Sequence, residues 1–268
     1  MVRRTGTALL LLILILPAIY FGGLYYFLIV SAFMLAATWE YAHMFSAMQF
    51  KPSLPVSIGG VFVVLAARLF APGETGAVLT AVVLVAMTVH LLDYEHGRDQ
   101  AALDFAITIG GIVYLGWVGA YMIDLRALPN GGWWIMLVFP VVWLSDTGAY
   151  MIGVQYGVHK MLPRLSPHKS WEGYFAGVAG AMISGAFLAF AYTRFGPLHV
   201  SPWQGALLGI ALGVLTTLGD VGESLFKRFA SAKDSGSLFP GHGGAFDRID
   251  SLIWAAVIGY FCVRFWLA

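Results

Sequence analysis

Nine long apolar runs separated by short polar connections constrain this chain more than any other feature of its sequence. They cover about residues 5–22, 24–47, 55–71, 75–92, 102–123, 132–156, 171–193, 202–230 and 243–266. Each approaches the ~20 helical residues that cross a hydrocarbon core of ~30 Å. In lipid a backbone must satisfy its polar groups internally, which long apolar runs do as helices. The expected fold is therefore all-α: a polytopic integral membrane helical bundle of about nine transmembrane helices. Composition agrees, with 59% hydrophobic and 11% charged residues and a mean hydropathy of +0.80, against roughly 25% charged in soluble domains. The connections leave no room for a soluble domain. Residues 1–268 read as a single membrane domain, with hydrophobic spans over 1–130 and the polar motifs in a catalytic half over 131–268.

Lysine and arginine placement predicts the orientation. A cytoplasmic N-terminus puts Arg3, Arg4, Lys51, Arg98, Lys160, Arg164, Lys169, Lys227, Arg228, Lys233 and Arg248 inside. Only Arg68, Arg126, Arg194 and Arg264 then fall outside. Arg3 and Arg4 precede Leu9–Leu16 as in a secretory signal, but no clear small-x-small cleavage site follows, so the first run reads as a retained span. A net charge of +1 shows no nucleic-acid footprint. The single cysteine, Cys262, excludes an intrachain disulfide and a cysteine metal site.

Charge is costly between apolar spans and tends to be functional there. Nine charged residues nonetheless fall in the 31 positions from Asp220 to Asp250. If the run from Pro202 stays helical to about Ala230, Asp220, Glu223, Ser224 and Lys227 recur at i, i+3, i+4 and i+7 on one face. Asp247 and Asp250 are spaced i, i+3 at the start of the next run. The linker contains Gly236, Gly241, Gly243 and Gly244, where backbone amides can approach an anion. Acids, bases and a glycine-rich turn together describe a site for phosphate plus a divalent metal. Asp220 follows Pro202 by 18 residues, about 27 Å of helix, which predicts a site at the cytoplasmic membrane edge.

A second polar constellation runs from Ser145-Asp146-Thr147-Gly148 through His159-Lys160 and Arg164 to Ser166-Pro167-His168-Lys169-Ser170-Trp171-Glu172-Gly173. Asp146 lies inside an apolar span and reads as a ligand-site acid, a structural polar group or a proton relay. Lys169 and Glu172 read as site residues, or as an orientation determinant and a complement to the helix dipole. Pro163 and Pro167 predict an irregular loop. Glu40 and His43 read as interfacial or internally paired. Gly173, Gly177 and Gly180, and Gly205, Gly209 and Gly213, predict close helix packing.

The string Ser224-Leu225-Phe226-Lys227-Arg228, then Lys233-Asp234-Ser235-Gly236, then Phe239-Pro240-Gly241-His242-Gly243-Gly244-Ala245-Phe246-Asp247-Arg248-Ile249-Asp250 resembles the signature of the CDP-diacylglycerol synthase family, the phosphatidate cytidylyltransferases. Leu218-Gly219-Asp220 and the 145–173 block are similar to that family too, while the first 100 residues match only as hydrophobic spans. Two departures are visible. Ala245 stands where a larger aliphatic is usual, and Gly157-Val158-His159-Lys160 lacks one loop lysine.

The resemblance implies that CTP and phosphatidic acid give CDP-diacylglycerol and pyrophosphate, with Mg²⁺, in the bacterial inner membrane as a multi-pass protein. The expected metal ligands are Asp220, Asp247 and Asp250. Lys227, Arg228, Lys233 and Arg248 are expected to neutralise phosphate, with Asp234 and His242 in the same catalytic group. Glu223, Ser224, Gly243 and Gly244, with Ser145, Asp146, Lys169 and Glu172 on another wall, are expected to bind substrate. A homodimer is left open. The alternatives are an ion-coupled transporter, which would place its acids nearer mid-membrane, and a CTP-dependent lipid or polyprenol kinase, which would release CDP. A Walker-type phosphate loop is absent from the sequence.

Overall fold

Residues 2–238 and 243–267 are described in a computed structural model of the chain. His242, expected in the catalytic group, lies outside the described residues. Among the described residues, seven helical stretches are long and apolar enough to cross a membrane: Gly23–Ser46, Pro72–Glu95, Ala101–Ala127, Gly131–Tyr156, Trp171–Phe195, Pro202–Phe229 and Phe246–Leu267. The other two expected runs coincide with the helix Val2–Phe21, apolar over Leu12–Phe21, and the shorter apolar helix Leu54–Phe70. The all-α membrane architecture therefore holds. The chain divides into two compact units, Met1–Asp124 with Phe226–Ile249, and Leu125–Leu225 with Asp250–Ala268.

The first unit contains α1 (Val2–Phe21), α2 (Gly23–Ser46), α3 (Leu54–Phe70), α4 (Thr75–Glu95) and α5 (Ala101–Gly111), which widens into a π-turn over Ile112–Val118. Its core includes Met34, Leu65, Ile112, Leu115 and Phe246, all fully buried. Tyr41 on α2 packs edge-on against Phe226 and Phe246, with ring centroids 5.4 and 6.5 Å away. Aromatic edges and faces attract in this geometry, so the signature segment is clamped to α2. Asp104, 1% exposed, accepts from Lys51 N at 2.8 Å and Arg98 Nε at 2.7 Å. That buried carboxylate ties the α2–α3 connection to the start of α5.

The second unit contains the end of α6 (Tyr121–Ala127) from Leu125 on, α7 (Gly131–Tyr156), α8 (Trp171–Phe195) and α9 (Pro202–Leu215). Consecutive α7, α8 and α9 pack side by side through the glycines expected there. A methyl at Gly205 would overlap the carbonyl of Gly185, and one at Gly209 the carbonyl of Ala181. Small residues let backbones close to van der Waals range, the main source of helix association in lipid. Ser201 and Gln204 form a capping box at the start of α9, satisfying amides the helix itself cannot.

Two elements differ from expectation. The 157–170 loop is partly ordered as an antiparallel hairpin, β1 (Lys160–Leu162) with β2 (Ser166–Ser170), Lys160 opposite Ser170. A two-stranded sheet has only edge strands, which tolerate the missing donor of Pro167. The long helix from Pro202 is also interrupted. It breaks at Thr216 and resumes as α10 (Thr217–Phe229). The Thr216 hydroxyl donates to Leu212 O at 2.8 Å, a back-bond that bends helices. The last long helix is α11 (Phe246–Cys262).

Candidate active site

In the second unit, α10 and α11 bring three acids together. Asp220, Glu223 and Asp250 each offer a carboxylate oxygen within 4.8 Å of the others. Asp220 and Glu223 share a face of α10 because they are one turn apart. The approach of α11 depends on Gly219, where an added Cβ would sit 2.5 Å from Asp250 O and 2.8 Å from Trp254 Cδ1. Glu223 is 1% exposed. Burying a carboxylate beside two others is strongly unfavourable unless positive charge joins them. Lys169, at the end of β2, meets Asp220 with Nζ 2.6 Å from Oδ2. That ammonium offsets part of the charge of the group. Three clustered carboxylates are the donor set a hard divalent cation prefers, so these residues fit a metal of that class.

Asp146 on α7 lies within electrostatic reach of both Lys169 and Asp220. The second constellation therefore borders the carboxylate group. Ser145, His159 and Glu172 have local partners. Ser145 Oγ donates to Gly177 O at 3.0 Å, joining α7 to α8. Glu172 accepts from His159 N at 3.2 Å and pairs with its Nδ1 at 2.5 Å. His159 is thus engaged by the first turn of α8.

In the first unit, the signature segment builds a different arrangement around Asp247. Oδ1 meets Lys227 Nζ at 2.7 Å, and the two side chains are 8% and 14% exposed. Oδ2 accepts from Ser235 N at 3.0 Å, Ser235 Oγ at 2.9 Å and Gly244 N at 2.8 Å. Gly243, at φ +81°, makes the turn, a conformation costly for other residues. The Gly244 amide, expected near an anion, is directed at a carboxylate of the chain itself. Arg228, Lys233, Asp234 and Arg248 are exposed, whereas Ser224 is buried.

Glu40 and Ser235 carry more of this arrangement than the sequence indicated. Glu40 Oε1 accepts from Ala245 N at 2.9 Å, and Oε2 accepts from Phe246 N at 2.9 Å and Ser235 Oγ at 2.8 Å. An acid inside an apolar span was the available signal. Its partners, some 200 positions away along the chain, were not visible from spacing.

A bundle of apolar helices bearing a three-carboxylate group that fits a divalent cation, and a part-buried Lys227–Asp247 ion pair, is a polytopic membrane protein. Comparison with known proteins agrees. The Cytidylyltransferase family model matches residues 2–266. Similar proteins include the phosphatidate cytidylyltransferases of Staphylococcus epidermidis, 33% identical over 253 residues, Staphylococcus aureus, 33% over 257, and Staphylococcus haemolyticus, 32% over 257. In each case 94% of both chains is covered. The chain belongs to the cytidylyltransferase family, and it is a nucleotidyltransferase.

Proposed function

We propose that the protein transfers a cytidylyl group from CTP to phosphatidic acid, forming CDP-diacylglycerol and pyrophosphate at the cytoplasmic face of a bacterial inner membrane. The observation that carries this reading is the carboxylate group of Asp220, Glu223 and Asp250 with Lys169 at 2.6 Å from Asp220, in a chain alike over 94% of its length to proteins of that name. Both reactants are anionic, so bringing them together demands concentrated positive charge.

A phosphatidate oxygen attacks the α-phosphorus of CTP. The new P–O bond forms as the bond to the bridging oxygen of the β-phosphate breaks, and pyrophosphate leaves with that electron pair. The phosphate monoester is already largely ionised near neutral pH, so no protein base is required. Asp220, Glu223 and Asp250 would hold Mg²⁺, which neutralises charge on phosphate oxygens when bound. Lys227, oriented by Asp247, supplies positive charge to a phosphate, with Arg228, Lys233 and Arg248 contributing from exposed positions. Lys169 and Asp146 border the carboxylates and contact nucleotide.

The test uses purified full-length protein in detergent with phosphatidic acid and labelled CTP, with and without Mg²⁺. The expected result is a lipid-soluble cytidine product and pyrophosphate, both dependent on Mg²⁺. Release of CDP with a newly phosphorylated lipid, or label confined to water-soluble nucleotide, would overturn the reading.

A further inference from the structure

Glu40 is a charged group that the proposed chemistry does not use. It lies on α2, 1% exposed, where a carboxylate is costly unless hydrogen bonded. Both of its oxygens are engaged, by the amides of Ala245 and Phe246 and the hydroxyl of Ser235, at 2.8–2.9 Å. Those two amides open α11, where helix donors lack internal partners and the dipole favours an anion. Gly236 and Gly244 close around the same carboxylate, and a methyl at either would overlap it. The signature turn is thus shaped around a side chain from α2.

Ser235 extends the connection. Its Oγ lies 2.8 Å from Glu40 Oε2 and 2.9 Å from Asp247 Oδ2. A hydroxyl has one proton, so it can donate to only one of these carboxylates at a time. When it donates to Glu40, Asp247 is less neutralised by hydrogen bonding and attracts Lys227 more strongly. Coupled hydrogen bonds in a low-dielectric interior act on one another in this way.

We infer that Glu40 is a positioning residue for Lys227, acting through Ser235 and Asp247 and through the two amides that open α11. It does not touch substrate. The inference rests on the reading in which Lys227 meets a phosphate, but its structural half can be measured without turnover.

Two measurements on the full chain in detergent test it. In hydrogen exchange, Glu40→Ala should open the amides of residues 244–247 roughly tenfold or more while α7 and α8 stay protected, as expected when one local unit loses its cap. Should Glu40→Ala not yield folded protein, Glu40→Gln is measured instead, because an amide offers one acceptor where the carboxylate offers two. In kinetics, Glu40→Gln and Ser235→Ala should each lower kcat by roughly 10–100-fold, the usual range for groups that orient a working side chain. KM for CTP should stay within about twofold, and the double variant should be no worse than the poorer single variant, because the residues act through one connection.

Wild-type exchange at 244–247 in the Glu40 variant, wild-type kcat in Glu40→Gln, or losses that multiply in the double variant would each overturn the inference. Absence of any liponucleotide from wild-type protein would instead overturn the proposed reaction. The exchange result would then decide the positioning role alone.

Discussion

Asp247 and Asp250 stand three residues apart on α11, yet Asp247 pairs with Lys227 at 2.7 Å while Asp250 groups with Asp220 and Glu223 within 4.8 Å. Three residues advance a helix by roughly 300°, so the two side chains diverge by about 60° around the axis. That angle lets adjacent acids of one helix turn serve different neighbours. One orients a cation of the protein, and the other joins a group suited to a foreign cation.

The pair predicts a separation of stability from activity. Asp247→Asn should destabilise the protein by on the order of 3 kcal/mol, because an ammonium left in a largely buried position loses its counter-charge. Lys227→Met with Asp247→Asn should recover most of that loss in a thermal melt while remaining inactive. Added Mg²⁺ should not rescue Lys227→Met. Wild-type turnover in Lys227→Met would remove Lys227 from the chemistry.

The carboxylate group predicts a different pattern. Asp220→Asn, Glu223→Gln and Asp250→Asn should each raise the Mg²⁺ needed for half-maximal activity by roughly tenfold or more, since affinity at oxygen sites follows the charge of the ligands. Direct Mn²⁺ binding measured by electron paramagnetic resonance should weaken in parallel. Asp247→Asn should leave Mn²⁺ binding within about twofold of wild type, because its oxygens are engaged by Lys227, Ser235 and Gly244. Equal loss of Mn²⁺ in all four variants would return Asp247 to the ligand set.

Much of the architecture was legible because apolar length is a local property of the sequence. Each expected run falls on helical structure within a few residues at most ends, although the run from Pro202 is divided between two helices. The break at Thr216 was not legible, since a threonine in an apolar run fits an unbroken helix as readily as a bent one. Within the site, Asp220 and Asp250 were marked by charge in a costly place. That Glu223 joins Asp220 and Asp250 depends on the rotation of α10 and α11 about their axes, which spacing alone leaves free. Glu40 was visible as an acid near the end of an apolar run, but its pairing with Ser235 is a contact across 195 positions, and only the folded chain creates it.

Gly219 provides a steric test of the same helix approach. Gly219→Ala would set a Cβ against Asp250 O and Trp254 Cδ1, and overpacking of this kind costs about 1–3 kcal/mol. The expected result is a modest drop in melting temperature together with a raised Mg²⁺ requirement, because α11 must shift and take Asp250 with it. Gly222→Ala, where an added Cβ meets nothing within 4 Å, should show neither effect. Similar Mg²⁺ dependence in the two variants would mean that the spacing of α10 from α11 does not set the metal group.

Lys169 offers the sharpest contrast between binding and turnover. Its Nζ lies 2.6 Å from Asp220 Oδ2, so it neutralises one of the three carboxylates and competes for an oxygen that a metal would use. Opposite charge at this range favours the ionised acid, and removing the lysine leaves the acids with less compensation. Lys169→Met should therefore bind Mn²⁺ more tightly, by roughly three- to tenfold, a change moderated by the solvent around a partly exposed pair. The same variant should turn over more slowly, because an ammonium that could move from Asp220 to an incoming phosphate is gone. Lys169→Arg keeps the charge and should retain wild-type Mn²⁺ affinity within about twofold, although its planar fork does not replace a compact ammonium in turnover. If Lys169→Met instead binds Mn²⁺ more weakly, the lysine holds Asp220 in its ligating orientation and does not compete with the metal.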